Sequence, residues 1–192
     1  MNYFDTIRSK ASRLSTEIFV RASPGMYLLG SLPTDDADDP LRRSFTTVPA
    51  MTVDEIQAQL KEEKRRAAAA AAAGRFLCRV AKSDRNPWRG RISVGRAKNN
   101  DVIIDHPSVS KLHAHFLVPG RDSLTLDPPS ALALTDAESK NGTRLNGTLL
   151  AAASEVEIRP GDRLQFGAVT CDVLTAESLH RILRTKYPSA SA

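Results

Sequence analysis

The chain has 192 residues, which is enough for one ordinary domain and a substantial extension. Its net charge of +5 favours an anionic partner, but the lysines and arginines are too evenly spread for a duplex-binding face, so no nucleic acid is expected. No run of about 18 apolar residues spans a membrane, and the N-terminus lacks the layout of a secretion signal. These features predict a cytoplasmic protein without a membrane span.

Residues 1–30 are predicted to form an amphipathic helical segment. One apolar stripe at helical spacing contains Phe4, Ile7, Ala11, Leu14 and Ile18. Ser23-Pro24-Gly25 ends this pattern. We expect the stripe to pack on the globular domain or on a sister chain, and a helix lying on a membrane surface is the alternative.

A linker and a second helix are predicted to follow. Residues 31–51 are rich in proline and charge and contain the acidic run PTDDADDP, which is typical of a linker. Residues 52–73 are predicted to be an alanine-rich helix. Thr52 and Glu55 match a capping box at its start, and an uninterrupted run of alanines ends it.

From Arg75 the pattern changes to short β-rich runs such as RFLCRVA, RISVG, HAHFLV and VTCDVL, separated by turn clusters. About ten such runs without intervening helices predict an all-β sandwich or barrel over residues 74–175. A short helix and tail are predicted over residues 176–192, with Thr175 as the cap.

The segment HPSVSKLHAHF, residues 106–116, allows three interpretations. Ser110 and His113 would form a nucleophile and its base only with an orienting acid and an oxyanion hole, and neither is indicated. His113 and His115 would need a third ligand to hold a metal. The third interpretation is a turn whose polar groups face an anion.

The polar turns between the strands favour the anion interpretation. They contain Gly95-Arg96, Ser108, Ser110, Asn141-Gly142 and Asn146-Gly147. Gathered at one end of a sandwich, these turns would offer a guanidinium, a hydroxyl, ammonium groups and a carboxamide, with no opposing carboxylate.

Five blocks carry these turns in a fixed order: ISVGR at 92–96, NNDVII at 99–104, SKLHAHF at 110–116, SKNGTRLNG at 139–147 and RPGDRLQFG at 159–167. Their order and intervals resemble a forkhead-associated (FHA) domain, a phosphothreonine-binding module, and a bacterial origin is expected. The resemblance does not cover residues 1–73. It implies an FHA-like all-β sandwich of about 10–11 short antiparallel strands, preceded by an α-helical extension and followed by a short helix.

The resemblance also implies roles for the site residues. Arg96 would contact the phosphate, Ser110 would donate to a phosphate oxygen, and Asn141 would hold the peptide backbone. Lys111 and Lys140 would add contacts to the phosphate or the peptide. Structural support would come from Gly95, His113, Gly142, Asn146 and Gly147, with His113 tying the loops together and the others serving turn geometry.

The implied function is a non-enzymatic adaptor in Ser/Thr-kinase signalling, without a cofactor or metal. Its partner would be a phosphothreonine-containing protein, such as a Ser/Thr kinase or its substrate. Some bacterial FHA proteins also carry a threonine pair in an N-terminal tail that is phosphorylated and folds back, and Thr46 and Thr47 are candidates for such a pair. The alternative function is a phosphate-independent scaffold or assembly protein that uses the FHA surface and the N-terminal helices.

Members of the family that prefer aspartate three residues after the phosphothreonine carry a basic residue two positions before the phosphate-binding serine. Ser108 occupies that position in this chain. The resemblance therefore implies no acidic preference at that peptide position.

Overall fold

A computed structural model of the chain describes residues 3–33, 74–88, 90–117 and 132–187. The helices and strands in chain order are α1 (Tyr3–Arg13), α2 (Thr16–Ala22), β1 (Met26–Ser31), β2 (Arg75–Val80), β3 (Arg91–Gly95), β4 (Val102–Ile103), β5 (Ala114–Leu117), β6 (Leu132–Asp136), β7 (Thr143–Leu145), β8 (Thr148–Leu149), β9 (Glu155–Ile158), β10 (Arg163–Phe166), β11 (Val169–Thr175) and α3 (Ala176–Lys186). The predicted all-β sandwich with helices before and after it is confirmed. None of the helices in these ranges is long and apolar enough to cross a membrane.

The strands form two sheets. The six-stranded sheet has the order β2-β1-β11-β10-β7-β8, and the five-stranded sheet has the order β4-β3-β5-β6-β9. Every pair is antiparallel except β3 with β4. The inner faces of both sheets share one apolar core, because alternate residues of each strand point inward. Its fully buried members include Leu28, Val94, Phe116, Leu134, Leu164, Phe166 and Val173.

The helices cover part of the outer face of the six-stranded sheet. Their buried residues form a second apolar cluster with the strands beneath, which contains Phe4, Ile7, Ala11, Phe19, Tyr27, Leu29, Leu77, Leu174, Leu179 and Leu183. His180 on α3 ties the cluster together, since its Nε2 lies 3.1 Å from the Leu14 carbonyl and its Nδ1 lies 3.1 Å from the Thr16 hydroxyl. The N-terminal helices therefore pack on the domain itself.

The N-terminal stripe continues less far than the sequence predicts. Ser15 caps a new helix by accepting the Ile18 N–H, so the chain turns between α1 and α2. This turn changes the helical phase. Ile18 is 53% exposed, and Phe19 takes the buried position at 0% exposure.

The prediction of a helical segment over residues 1–30 is wrong from Met26 onward. Residues 26–31 form strand β1, which lies between β2 and β11 inside the six-stranded sheet. A sandwich confined to residues 74–175 is therefore also incorrect, because one interior strand precedes residue 74. Most of the predicted linker 31–51, the whole predicted helix 52–73, Thr46 and Thr47 lie outside the described residues.

At the other boundary the structure follows the prediction. The Thr175 hydroxyl accepts the Ser178 N–H at 3.1 Å and so caps α3, which begins at residue 176. Leu179 and Leu183 on this helix are buried in the second cluster.

Strands β1 and β2 form a hairpin with a long insertion. Ser31 pairs with Arg75, and the Leu32 N–H donates to the Gly74 carbonyl at 2.5 Å, so the chain leaves and re-enters the sheet at one point. Ser31 also pairs with Thr170, which closely follows the turn between β10 and β11. The insertion therefore begins and ends at the same end of the sandwich as that turn.

Candidate functional site

Three loops meet at one end of the sandwich, which we call the recognition end: residues 96–101, 104–113 and 137–142. The first two are joined by their backbones, since the Arg96 N–H donates to the Ser110 carbonyl at 2.9 Å and the Ala97 N–H to the Lys111 carbonyl at 3.1 Å. The third loop joins them through Lys140, whose N–H donates to the Ser110 hydroxyl at 3.0 Å. The structure thus brings the predicted site loops together.

The Arg96 side chain is exposed at the recognition end. Its Nε donates to the Val109 carbonyl at 3.2 Å, which fixes the direction of the guanidinium. The two terminal nitrogens of this guanidinium have no partner within the described part of the chain. A guanidinium held in this way can donate to two oxygens of one anion.

The Ser110 hydroxyl is arranged to donate a hydrogen bond. Its oxygen accepts the Lys140 N–H, so its own proton remains available to a second group. The nearest histidine does not act on it, because the Nδ1 of His113 accepts the backbone N–H of Ser110 at 3.0 Å. The geometry is therefore not that of a nucleophile and its base.

His113 joins two recognition loops from a buried position. With Nδ1 accepting from Ser110, its Nε2–H donates to the Gly142 carbonyl at 3.2 Å. Its ring packs edge-on against Phe166, with centroids 5.6 Å apart. Burial lowers the pKa of His113, although the Gly142 carbonyl and the Asp136 charge act in the opposite direction. The imidazole is therefore neutral at pH 7, as its two hydrogen bonds require.

Asn141 lies on the exposed side of the third loop. Its Nδ2 donates to the Ser108 carbonyl at 2.7 Å, which holds the carboxamide in place and leaves its oxygen available as an acceptor. The Ser108 hydroxyl is fully used inside the protein: it accepts the Ala168 N–H at 2.9 Å and lies 2.7 Å from Nδ1 of His106. Ser108 therefore brings no charge and no free donor to the site.

Exposed cations outnumber exposed carboxylates at this end, where Arg96, Lys98, Lys111 and Lys140 lie with Asp105 and Glu138. Arg96, Lys111 and Lys140 are all exposed, and none of them forms an ion pair with a carboxylate within the described ranges. Lys111 directly follows Ser110 in the chain, and the Lys140 N–H donates to the Ser110 hydroxyl. The excess of cations that form no ion pair attracts an anion to this end.

Asp136, which is not among the residues predicted from the sequence, supports the third loop. Its carboxylate accepts the Ser139 N–H and hydroxyl, both at 2.8 Å, and the Thr143 hydroxyl at 2.5 Å. Burial alone would raise its pKa, but these hydrogen bonds outweigh burial and lower it. The spacing D-x-x-S-x-x-x-T was the available signal, since it matches a carboxylate that caps a turn.

Within the block NNDVII, Asn100 links the first two loops and Asp101 anchors the first loop to β3. Asn100 is buried, and its Nδ2 donates to the carbonyls of Ala97 at 2.8 Å and Lys111 at 2.6 Å. The Asp101 carboxylate accepts N–H and hydroxyl groups from both Ser83 and Ser93. The pKa of Asp101 is lowered to about 2, because these hydrogen bonds outweigh the effect of its burial.

Two glycines of the site have different reasons to be glycine. Gly142 has a φ of +75°, and Asn146 and Gly147 in the next turn also have positive φ. Gly95 does not, and its reason is a close approach: a Cβ there would lie 2.3 Å from the Lys111 carbonyl oxygen. The assignment of Gly95 to turn geometry is therefore corrected to a packing constraint between two loops.

The predicted pair of histidines does not come with further metal ligands. The described residues contain no group of three or more His, Cys, Asp or Glu side chains placed to hold a metal. His115 instead packs edge-on against Trp88, with centroids 5.7 Å apart. Cys78 and Cys171 are both free thiols.

Sequence comparison identifies relatives of the region that carries the site. Residues 92–167 match the family model of the FHA domain. A probable serine/threonine-protein kinase of Dictyostelium discoideum is 36% identical over 75 residues, which are 36% of this chain and 5% of that protein. The chain thus spans only a small part of that relative's length.

Several solved structures resemble the chain. The FHA domain of the CT664 protein from Chlamydia trachomatis is 13% identical, with a TM-score of 0.40 over 78% of this chain and 97% of that one. The Slr1951 protein from Synechocystis sp. is 23% identical, with a TM-score of 0.39 over 53% and 89%. EmbR from Mycobacterium tuberculosis, in complex with a low affinity phosphopeptide, is 21% identical, with a TM-score of 0.37 over 45% and 20%.

Proposed function

We propose that this chain binds proteins that carry a phosphorylated threonine, because residues 92–167 match the family model of the FHA domain. FHA domains are binding modules rather than catalysts, so the chain serves as a non-enzymatic adaptor in Ser/Thr-kinase signalling. Its partner is a phosphorylated Ser/Thr kinase or a substrate of such a kinase. Arg96, Ser110, Lys111, Lys140 and Asn141 form the binding surface.

One observation carries this proposal: exposed cationic residues are hydrogen bonded through their backbones to a serine whose hydroxyl can donate. Arg96 and Lys140 are each linked to Ser110 by a backbone hydrogen bond, of 2.9 and 3.0 Å. A phosphothreonine carries a charge of about −1.5 to −2 at neutral pH and three acceptor oxygens. The guanidinium, the hydroxyl and the ammonium groups supply donors of the kind that such an anion requires.

The donors support a modest affinity. Hydrogen bonds to charged groups contribute about 1.5–3 kcal/mol each, and neutral ones about 1 kcal/mol. Ordering a flexible peptide opposes binding, so contacts of the peptide backbone with Asn141 must offset part of that cost. We expect a dissociation constant in the micromolar range, which corresponds to a binding free energy of about −8 kcal/mol.

A degenerate phosphothreonine peptide library tests the proposal, with phosphoserine and unphosphorylated libraries beside it. We expect the full chain to select phosphothreonine peptides, and Arg96→Ala to abolish that selection. Arg181→Ala is the matched control, because Arg181 is an exposed arginine on α3 far from the site in sequence and fold. The same library reads the position three residues after the phosphothreonine, where Ser108 predicts no enrichment of aspartate.

A folded protein that shows no phosphothreonine selectivity would contradict the proposal. The alternative would then be a phosphate-independent scaffold or assembly protein that uses the FHA surface and the N-terminal helices. Treatment with a phosphatase before the assay separates this outcome from a site already filled by a phosphorylated segment of the same chain. Selectivity that appears only after dephosphorylation restores the proposed function.

We further propose that Thr46 and Thr47 are phosphorylated and bind the site of their own chain. The topology supports this, because the insertion that contains them begins and ends at the recognition end. Leu32 and Thr46 are fourteen residue steps apart (46 − 32), and the extended chain between them reaches up to about 45 Å, far more than the width of one sheet. Mass spectrometry after treatment with a Ser/Thr kinase checks the modification. A phosphorylated chain that still binds phosphothreonine peptides with unchanged affinity would rule out the internal contact.

A further inference from the structure

The outer face of the six-stranded sheet carries polar side chains on the half that lies away from the helices. One residue from each of five neighbouring strands forms a continuous row: Arg75, Ser31, Thr170, Gln165 and Arg144. The helices pack instead on the other half of this face, over Tyr27, Leu29, Leu77 and Leu174. We call the five polar residues the basic row.

The basic row has an excess of positive charge. Arg75 and Arg144 stand at its two ends, and Arg163 lies beside it, paired with Asp172 at 2.9 Å. Three guanidiniums and one carboxylate give a net charge of +2 (3 − 1). The Arg75 guanidinium stacks 4.2 Å from the ring centre of Tyr187, which holds it at the edge of the sheet.

An open groove of about 440 Å³ lies over this part of the sheet. Its lining includes the small residues Gly30, Ser31 and Thr170 together with Arg75, Arg163, Asp172 and Tyr187. The small side chains between the arginines leave room for an extended segment of polypeptide to lie across the strands.

The chain itself supplies a segment of complementary charge at this place. Ser31, a member of the basic row, is followed after a few residues by the acidic run PTDDADDP. This run contains four aspartates within five positions: Asp35, Asp36, Asp38 and Asp39. The chain between Ser31 and Asp35 reaches about 13 Å, which is enough to turn back over the face that Ser31 occupies.

We propose that residues 35–39 bind the basic row of their own chain. The row crosses five strands spaced about 4.8 Å apart and is therefore about 19 Å wide. Asp35 and Asp39 lie about 13 Å apart in an extended chain, so with their side chains the aspartates reach across most of the row that contains Arg75 and Arg144. The tether raises the local concentration of the acidic segment to roughly the millimolar range, which makes weak, salt-sensitive pairing sufficient.

The basic row is favoured over the recognition end as the binding surface. The acidic segment leaves the sheet at Ser31. From there, the turn between β10 and β11 and Ser108, which contacts that turn through Ala168, come before the cations of the recognition end, Arg96, Lys111 and Lys140. Arg75, by contrast, is paired with Ser31 on the adjacent strand. The proposal concerns the sheet face alone and stands whether or not the recognition end binds phosphothreonine.

A nitroxide label attached through Ala37→Cys measures this contact in the full chain. The native thiols react slowly, because burial raises the pKa of Cys78 to about 11 and raises that of Cys171 further. At about 0.01 M salt we expect the label to reduce the amide signal of Gln165 at least about two-fold, and about 1 M salt should restore it. Gln165 is suited to this measurement because it is remote from the label in sequence.

Charge variants distinguish binding of the aspartates to the arginines from proximity that the covalent chain alone would cause. Combined Asp→Asn changes at positions 35, 36, 38 and 39, or Arg→Gln changes at Arg75, Arg144 and Arg163, should restore the Gln165 signal at low salt. Arg91→Gln with Arg159→Gln is the matched control, since both arginines are exposed on the five-stranded sheet or just after it, and it should leave the broadening unchanged.

Broadening at Gln165 that is equal in all variants would mean that the tether alone brings the label near, and the proposal would be wrong. Broadening that moves to the amides of Arg96 and Lys140 would equally overturn it, because the acidic run would then occupy the recognition end. An amide spectrum with native dispersion shows in each case that the variant is folded.

Discussion

The amide N–H of Lys140 donates to the hydroxyl of Ser110 at 3.0 Å, and this bond joins two loops separated by 30 residues. It orients the hydroxyl so that its proton is directed away from Lys140. The same serine is held from behind, where its own N–H donates to His113. One side chain thus depends on two loops for its position, and its substitution affects both binding and loop geometry.

Ser110→Ala should weaken phosphothreonine binding by about 10- to 100-fold, because it removes one hydrogen bond to a charged group worth about 1.5–3 kcal/mol. Ser110→Thr keeps the hydroxyl and should retain most of the affinity. Fluorescence anisotropy with a labelled phosphothreonine peptide measures both. Ser154→Ala, which removes an exposed serine hydroxyl bonded only to Ala151, is the matched control. Equal affinities of Ser110→Ala and the control would show that Ser110 does not contact the phosphate.

His113 predicts a loss of stability in mild acid. Burial lowers its pKa in the folded state below the ordinary value of about 6.5. The unfolded chain therefore binds more protons between the two pKa values, so the His113 contribution is fully present above about pH 6.5 and is lost as the pH falls through the lower value. His113→Gln cannot take up this proton, so its free energy of unfolding should change less with pH than that of the wild type.

Urea denaturation of both proteins between pH 7.5 and 5 measures this difference, over a range chosen to bracket about 6.5. His115 also has a lowered pKa, from burial and from the nearby Arg91 charge, but it is present in both proteins and cancels in the comparison. Parallel pH profiles for wild type and His113→Gln would show that His113 does not titrate in this range.

Asp101→Asn should destabilise the domain by about 2–5 kcal/mol. The carboxylate side chain is 0% exposed and accepts hydrogen bonds from Ser83, Asn86 and Ser93 and an ion pair from Lys82. An amide in its place would direct an N–H group toward donors and leave Lys82 unpaired. Chemical denaturation measures the loss, and Asp172→Asn, which changes an exposed carboxylate paired with Arg163, should cost far less.

Protonation of the Asp101 carboxylate should lower the stability of the domain in strong acid. Its pKa is about 2 in the folded state and about 3.8 otherwise, so its contribution of about 2 kcal/mol is present above pH 3.8 and is lost as the pH falls through 2. Because the group is acidic and its pKa is lowered, the effect appears only on the acid side. Asp101→Asn should flatten the fall in stability between these values.

The sequence predicted which loops meet at the recognition end better than it predicted the boundaries of the domain. A turn such as Asn141-Gly142 can be recognised without knowing its tertiary contacts, because the positive φ of Gly142 restricts the choice of residue at that position. The alternation of β10 and β11 likewise needs no knowledge of partners. Because these signals are local, they predict from the sequence alone that the site loops meet at one end of the sandwich.

Strand β1 and the break between α1 and α2 were missed for a physical reason. The first four residues of the run MYLLGS are all buried, so the run lacks the alternation that identifies a strand. Their burial depends on the distant strands β2 and β11. Ser15 fits a helix interior or a helix cap, and only the packing of Phe19 against His180 distinguishes the two. Such features are decided by tertiary contacts.

The position of β1 predicts which fragments can fold. Residues 74–192 alone should be unfolded, because removing β1 exposes the paired edges of β2 and β11 and takes Tyr27 and Leu28, both 0% exposed, out of their apolar clusters. A chain in which residues 33–73 are replaced by Asn-Gly should fold, since Leu32 and Gly74 are already hydrogen bonded across the hairpin. Circular dichroism and amide signal dispersion distinguish folded from unfolded chains. A folded 74–192 fragment would show that β1 is not an essential strand of the sheet. An unfolded chain with the short turn would show instead that the Leu32–Gly74 pair does not suffice to close the hairpin.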